Sequence, residues 1–268
     1  LFIINNIMTK VIGIDLGTTF SAIASLDDLG NPEVLTSIED NRKITASAIY
    51  INDKNVVVGD KALNFIASEP NKVILQTKRE MENDVVYSIN KGNWTNDKSD
   101  IESYTPAQVS ALILKKLKEY TSDVKRAVIT VPAMFAERAR QATLEAAKMA
   151  DIEVIELINE PTAAVLHYAS LPGVEIGGRV LIFDLGGGTF DVTIADVKSK
   201  SVDVLTSRGD KYLGGKDFDY EITKLMKKKY QEHHDVEIDI ENNKEYILKA
   251  EEIKKILTVK PEANIQIN

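Results

Sequence analysis

Residues 11–19 read VIGIDLGTT, and residues 181–191 repeat the pattern as LIFDLGGGTFD. In each copy an apolar run ends at an aspartate, followed by one to three glycines, a threonine and more strand-forming residues. The apolar runs predict buried strands and the glycines predict tight turns. Such a turn lets peptide N–H groups approach an anion, and the aspartate can hold a hydrated divalent cation. Two copies therefore predict two similar lobes that close on one phosphate chain and its metal ion.

Two common phosphate-binding motifs do not fit this chain. No stretch supplies the Walker A pattern G-x-x-x-x-G-K-[ST]. The dinucleotide pattern G-x-G-x-x-G fails because Asp191 stands where the third glycine would follow Gly186 and Gly188. Strand-forming residues also follow Thr189, so the glycine turn is expected to lead into a strand rather than a helix.

Composition indicates an ordinary globular protein. The chain has 268 residues, of which 44% are hydrophobic and 28% charged, and it contains no cysteine. Its net charge of −8 disfavours a general nucleic-acid binder. Residues 1–7 are apolar but too short to span a bilayer, and they lack the features of a signal peptide. Because Met8 resembles a natural start, residues 1–8 are interpreted as upstream or added sequence, and we expect no membrane association and a cytoplasmic location.

Strand-like and helix-like segments alternate along the chain, which predicts the α/β class. Thr105 and Pro106 predict an N-cap and a first-turn proline for the helix that follows. Residues 82–104, which include Trp94, are polar and predict a small surface region. The patterns predict further strands at 47–51, 55–59, 127–132, 153–158 and 263–267, and helices at 60–68, 136–150, from about Thr162 to about Ser170, and 245–257.

Together these segments closely resemble the N-terminal part of the nucleotide-binding domain of the 70-kilodalton heat-shock chaperones, the DnaK type. The resemblance covers the chain from residue 9 to its end, with the motifs in the family's order. It is carried by the strings GIDLGTTFS at 13–21, KR at 78–79, VPAMF at 131–135, NEPTAA at 159–164, DLGGGTFDV at 184–192 and LGGKDFD at 213–219.

The resemblance implies the actin-like ATPase fold, which is ribonuclease H-like and has two lobes. Lobe I would span residues 9–175, with a small subdomain at about 45–104. Lobe II would span 176–268, with its adenosine-side subdomain starting at about 214 and cut short. The family's second adenosine loop, returning helices, linker and peptide-binding domain have no counterpart in this sequence, so we expect weak nucleotide binding by this chain alone.

The resemblance also implies a site for ATP or ADP with Mg²⁺. Lys78 would lie beside the γ-phosphate and orient the attacking water, with Thr189 near the same phosphate. Asp15, Glu160 and Asp184 would hold hydrated Mg²⁺, and Asp191 would help bind a monovalent cation, taken as K⁺. The phosphates would be held by Gly17, Thr18, Thr19, Gly186, Gly187, Gly188, Thr189, Gly214 and Gly215, and the adenosine by Glu251, Lys254, Lys255 and Thr258.

The partners implied by the resemblance are unfolded client peptides, bound by a domain beyond this sequence, and a nucleotide-exchange factor. Pro132 and Arg140 match positions that pass the nucleotide state to that domain, although they are also compatible with a strand terminator and a helix surface charge. Glu156 stands where many bacterial members carry a basic residue, which disfavours a standard J-domain co-chaperone. No nucleic-acid partner is expected, and the protein is expected to be a monomer that acts in protein folding and the stress response.

Two other hypotheses for the function of this site remain open. A small-molecule kinase of the actin-like superfamily would share the glycine hairpins, although Lys78–Arg79 and residues 159–164 favour the chaperone. A non-catalytic chaperone fragment would bind partners without hydrolysing ATP. The early end of the sequence favours an inactive fragment, whereas five site residues that are present argue against a degenerate site: Asp15, Lys78, Glu160, Asp184 and Thr189.

Overall fold

The computed structural model describes residues 11–90, 101–122, 125–198, 201–234, 238–241 and 243–267. The interpretation of residues 1–8 and the position of Trp94 lie outside this range. Within it, fourteen strands and six α-helices confirm a mixed α/β protein with several sheets. No helix in the described part combines the length and the apolar character that a membrane crossing requires.

A six-stranded sheet forms the first part of the structure. Strand β1 pairs in parallel with β10, which pairs in parallel with β11, while β2 runs antiparallel to β1 and is flanked by β3 and β4. Alternate residues of β1 and β10, such as Ile12, Ile14 and Ile129, point into the core. The strands are β1 (Val11–Asp15), β2 (Phe20–Leu26), β3 (Pro32–Val34), β4 (Thr45–Ala46), β10 (Arg126–Val131) and β11 (Glu153–Asn159).

Helix α2 (Pro106–Lys118) packs its apolar face on this core, where Leu114 and Leu117 are completely buried. The predicted N-cap is confirmed as a capping box: the Thr105 hydroxyl accepts the Gln108 N–H, and the Gln108 side chain accepts the Thr105 N–H. Helices α3 (Glu137–Met149) and α4 (Glu160–Ala169) also contact this sheet, whereas α1 (Asp60–Leu63) packs on residues 48–51 and 56–58 of a smaller sheet. Helix α1 is shorter than the predicted helix over 60–68.

Two small sheets are built from strands that lie between β4 and α2 in the sequence. One has the order β6–β5–β7, and the other is the hairpin β8–β9. Two short 3₁₀ turns, Pro70–Lys72 and Thr77–Glu80, flank β7, and the second carries Lys78. The strands are β5 (Ala48–Ile51), β6 (Val56–Val58), β7 (Val73–Leu75), β8 (Tyr87–Asn90) and β9 (Ile101–Tyr104).

The last part of the structure is an antiparallel sheet, β12–β13–β14, followed by two long helices. Its elements are β12 (Gly178–Leu185), β13 (Phe190–Lys198), β14 (Ser201–Asp210), α5 (Gly215–His234) and α6 (Lys244–Leu257). Strand β12 forms as predicted, but the prediction that it is buried is wrong, since Leu181 and Phe183 are each 63% exposed. The predicted strand at 263–267 is also wrong, because these residues pair with no strand in the described part of the chain.

Candidate functional site

The first glycine hairpin joins β1 to β2. A side chain at Gly17 would place Cβ 2.0 Å from the carbonyl oxygen of Phe20, so only glycine fits this turn. Ser47 stabilises this turn with two hydrogen bonds. Its hydroxyl donates to the Gly17 carbonyl at 2.8 Å, and its N–H donates to the Thr19 carbonyl at 2.8 Å. Asp15, the last residue of β1, accepts a hydrogen bond from the Thr130 hydroxyl at 3.0 Å.

The second glycine hairpin joins β12 to β13. Leu185 pairs with Phe190 across it, and the Gly186 N–H donates to the Thr189 carbonyl at 2.9 Å. In the same ladder Asp184 lies directly opposite Asp191. The residues between the strands thus form a tight turn of Gly186, Gly187, Gly188 and Thr189, as the sequence predicts.

The turns of the two hairpins contact each other. A Cβ at Gly187 would lie 2.0 Å from the Thr19 hydroxyl oxygen, and one at Gly188 would lie 2.5 Å from the Thr18 methyl carbon. Both glycines are therefore required by the close approach of the opposite hairpin. Beside this contact is a cavity of about 460 Å³, lined by Asp15, Gly17, Thr18, Thr19, Phe20, Lys78, Thr130, Glu160, Ala163, Ala164, Asp184, Gly186, Gly187 and Thr189.

One ion pair dominates the polar part of this cavity. The Lys78 ammonium donates to the Glu160 carboxylate, and the two side chains are only 7% and 17% exposed. Burial raises the pKa of Glu160, the nearby Lys78 charge acts in the opposite direction, and the Asp15 and Asp184 carboxylates raise this pKa further. Burial also raises the pKa of Asp184. The cavity thus concentrates negative charge that a cation could compensate.

Asp191 lies deeper than the other candidate metal ligands, with only 2% exposure. Its Oδ1 is buried and has no hydrogen-bond partner among the described residues, and burial raises the pKa of the carboxyl. An oxygen in this state fits a cation ligand. The described residues contain no group of three or more carboxylates or histidines close enough to hold a metal directly. Asp15, Glu160 and Asp184 nevertheless face one cavity, an arrangement compatible with contact to Mg²⁺ through water.

Gly214 and Gly215, at the start of α5, pack on the second hairpin. Gly214 leaves no room for a side chain, since its Cβ would lie 2.5 Å from the Gly188 nitrogen. The Gly215 N–H donates to the Gly186 carbonyl at 3.0 Å, and the Lys216 N–H donates to the Gly187 carbonyl at 3.0 Å. The structure therefore brings both predicted glycines of this segment against the phosphate-loop candidates.

Of the four adenosine candidates in and just after α6, two line a cavity beside the second hairpin. Glu251 and Lys254 line a second cavity of about 300 Å³ together with Gly186, Gly187 and Gly215. The Lys254 ammonium donates to the Gly215 carbonyl at 2.9 Å and pairs with Asp219 at 2.7 Å. Lys255 and Thr258 are absent from the lining of this cavity. Lys255 is 62% exposed and pairs with Glu251, and the Thr258 hydroxyl donates to the Lys255 carbonyl.

Pro132 and Arg140 lie at the end of β10 and in α3. The Arg140 guanidinium donates to the Asn159 side-chain oxygen at 2.6 Å and to the Phe135 carbonyl at 3.2 Å. Asn159 immediately precedes Glu160, the first residue of α4. Arg140 thus connects the loop after Pro132 to the backbone that carries a cavity carboxylate.

Sequence reasoning missed three residues of this region. Ser47 supports the first turn from a strand edge, and no motif marks it. Arg79, which is buried, forms an ion pair beside the second hairpin with Asp217, which is 34% exposed. Both stand in strings that carry the family resemblance, so their positions were visible in the sequence while their contact was not.

The fold and this site define a mixed α/β protein in which two glycine hairpins meet beside a cavity lined by carboxylates and one lysine. Comparison with known sequences is more specific. The Hsp70 protein family matches residues 11–268. The chain is 36% identical to the chaperone protein DnaK of Thermotoga petrophila over 96% of this chain and 42% of the relative. It is 40% identical to DnaK of Mycoplasmopsis agalactiae over 87% of this chain and 37% of that relative.

The chain therefore belongs to the Hsp70 family. It spans only about 42% of the length of the first curated relatives it matches. Family membership confirms the resemblance read from the motifs.

Proposed function

We propose that this chain binds ATP at the junction of its two glycine hairpins, and that it is the ATP-hydrolysing part of a chaperone. One observation carries the proposal: both hairpins, Lys78 and Glu160 converge on a single cavity of about 460 Å³. In the sequence these groups are far apart, so packing alone brings them together. Phosphoryl transfer requires mainly positioning and charge neutralisation, and this cavity supplies the groups for both.

Each side of the cavity has a role in this proposal. Those peptide N–H groups of the two turns that are not paired within the turns bind the phosphate oxygens, because glycine turns expose them without side-chain obstruction. Lys78 places its ammonium beside the γ-phosphate and orients the attacking water, and Thr189 lies near the same phosphate. The water attacks the γ-phosphorus as the bond to the ADP oxygen breaks.

The carboxylates fit a magnesium nucleotide. Asp15, Glu160 and Asp184 would hold Mg²⁺ through its water ligands, and Asp191 would contribute to a site for K⁺. When bound, Mg²⁺ supplies charge neutralisation on the phosphate oxygens. The partnerless oxygen of Asp191 and the raised pKa values of Glu160 and Asp184 support this assignment, since each marks a buried carboxyl that a cation would stabilise.

The finer architecture belongs to the same proposal. The chain would have the actin-like arrangement of two lobes, 9–175 and 176–268, with nucleotide between them and adenosine on the side of α6. Glu251 and Lys254 support this role because they line the cavity beside the second hairpin, whereas Lys255 and Thr258 do not line it. Binding by this chain alone is therefore expected to be weak.

The proposal extends to the coupling of nucleotide state with client peptides. Pro132 and Arg140 would carry the signal, and the hydrogen bond from Arg140 to Asn159 supports this because Asn159 adjoins Glu160. A nucleotide-exchange factor would be a partner, whereas the exposed Glu156 disfavours a standard J-domain co-chaperone. The protein would act as a cytoplasmic monomer.

The proposal is tested by titrating the isotopically labelled chain with ATP and Mg²⁺ and recording backbone amide NMR shifts. We expect the amides of Gly17 and Gly186–Gly188 to shift, with a dissociation constant weaker than micromolar. If millimolar ATP leaves these glycine amides unchanged, the binding proposal is wrong. Micromolar or tighter binding would instead contradict the prediction of weak affinity.

A further inference from the structure

Lys78 and Arg79 are consecutive residues of one 3₁₀ turn, and both are buried, with exposures of 7% and 8%. Their side chains diverge. Lys78 reaches Glu160, at the start of α4, whereas Arg79 reaches the second glycine hairpin and α5. The proposed catalysis uses Lys78 and leaves the buried charge of Arg79 without a role.

The Arg79 guanidinium uses all three of its nitrogens. Nε donates to the Gly188 carbonyl at 2.5 Å, Nη1 donates to Asp217 Oδ1 at 3.0 Å, and Nη2 donates to Asp217 Oδ2. This is a forked, two-point contact to a carboxylate plus a third bond at a different angle. A planar guanidinium can satisfy this geometry, and a lysine ammonium with a single nitrogen cannot.

Asp217 connects the same guanidinium to the turn of Gly214 and Gly215, called here the α5 glycine turn. Its Oδ2 also accepts the Gly214 N–H at 2.7 Å. Gly214 in turn packs against Gly188, the residue whose carbonyl Arg79 binds. Arg79 therefore sits where the second hairpin and the α5 glycine turn approach most closely, and it contacts both.

Separation of these elements would leave the buried charge of Arg79 without its partner. The Arg79 side chain is only 5% exposed. Burial lowers the pKa of the neighbouring Lys216, and the positive charge of Arg79 lowers it further. Without Asp217, two cations would face each other in a poorly hydrated space, and uncompensated buried charge is strongly destabilising.

We propose that Arg79 is a positioning residue that latches the second glycine hairpin and the α5 glycine turn to the turn carrying Lys78. By holding Gly188 and Gly214 in register with Lys78, it sets the width of the phosphate cavity. The benefit for phosphate binding rests on the proposed ATP function, whereas the latch itself is a property of the chain without nucleotide.

Electron spin resonance can measure the latch directly. The chain has no cysteine, so Asp53→Cys and Lys228→Cys provide two unique label sites, one between β5 and β6 and one on α5, both exposed. Distances between the labels are recorded for the parent chain, Arg79→Lys and Asp217→Asn, without nucleotide. Lys211→Met is the matched control, since Lys211 pairs with Glu82 across the same interface but is 45% exposed.

We expect one narrow distance in the parent and in Lys211→Met, and a second, longer distance in Arg79→Lys and Asp217→Asn. The ratio of the population with the short distance to the population with the long distance should fall by about tenfold or more in these two variants. Circular dichroism and denaturant unfolding run in parallel identify any variant that has lost its fold, and Asp217→Asn, which is nearly isosteric, serves as the milder test. An unchanged distance in both variants, an equal change in Lys211→Met, or a broad distribution in the parent would each overturn the latch.

Titration with ATP and Mg²⁺ separates the latch from the proposed function. If both hold, Arg79→Lys weakens ATP binding by about tenfold, and Lys211→Met leaves it unchanged. Changed distances without any ATP binding in the parent would uphold the latch and reject the nucleotide site. ATP binding with unchanged distances in Arg79→Lys and Asp217→Asn would reject the latch and keep the site.

Discussion

Replacing Gly187 by alanine is expected to force the two glycine hairpins apart. The new Cβ would lie 2.0 Å from the Thr19 hydroxyl oxygen and 3.0 Å from the Thr19 Cβ, so rotating the hydroxyl away still leaves a close contact with the Thr19 Cβ. Ordinary contact begins near 3.4 Å, so in this closely packed region the hairpins must separate by roughly 0.4 Å if the hydroxyl rotates and by roughly 1.4 Å if it does not. Overpacking of this kind costs about 1–3 kcal/mol.

Two measurements follow from this estimate. Urea unfolding should show a loss of stability of about 1–3 kcal/mol in Gly187→Ala. If the separated hairpins bind phosphate less well by the same free energy, ATP binding should weaken between about fivefold and 150-fold. The NMR titration described above can follow this change.

Gly186→Ala is the matched control for this prediction. Its Cβ would lie 3.5 Å from the nearest atom, the Thr189 carbonyl oxygen, which is an ordinary contact. Neither glycine has a positive φ, so backbone strain does not separate the two variants. Equal stability and equal ATP binding in Gly186→Ala and Gly187→Ala would refute the steric argument.

Three further predictions concern single residues. If the proposed ATP hydrolysis holds, Lys78→Ala should lower ATP turnover by about 10²-fold or more while ATP affinity stays nearly intact, as a turnover assay and a calorimetric titration would show; lost affinity would reject its catalytic role. Glu39→Gln should reduce stability at pH 7 by about 0.5–1 kcal/mol, because paired lysines lower the pKa of Glu39 from 4.5 to about 2 and the exposed setting weakens the effect. This stabilisation is complete above pH 4.5 and disappears as the pH falls to about 2, so unfolding curves of the two proteins should converge there. Thr105→Ala should lower the unfolding free energy by about 0.5–2 kcal/mol in the same urea assay, and an unchanged midpoint would mean that the bond to Gln108 contributes nothing.

Local patterns predicted the regular elements well where the signal lies within a few residues. The N-cap at Thr105 and the strand of residues 126–131 appear close to their predicted positions. The predictions that failed depend on distant partners. The alternation at 263–267 fits a strand, but strand pairing requires a neighbour, and none in the described part of the chain pairs with it. The exposure of Leu181 and Phe183 likewise depends on what covers the sheet.

Several residues that line the cavity could be predicted because the glycine hairpins and the Lys78 string have local signatures. The partners of these residues could not. Ser47 supports Gly17 across 30 positions of sequence, and Arg79 meets Asp217 across 138 positions. Lys255 and Thr258 show the opposite case: their positions match the family pattern, yet their side chains lie outside the cavity that Lys254 lines.

The sequence by itself determined the two glycine hairpins and the family, because turn geometry and motif order are encoded in neighbouring residues. The tertiary structure alone decided that the hairpins contact each other, that Lys78 pairs with Glu160, and that Arg79 binds Asp217. These contacts join residues far apart in the chain, so they depend on how the sheets and helices pack. The physical reason lies in packing. The partner of a buried charge, and the atoms that leave a glycine no room for a side chain, come from distant parts of the chain and are set by the tertiary structure.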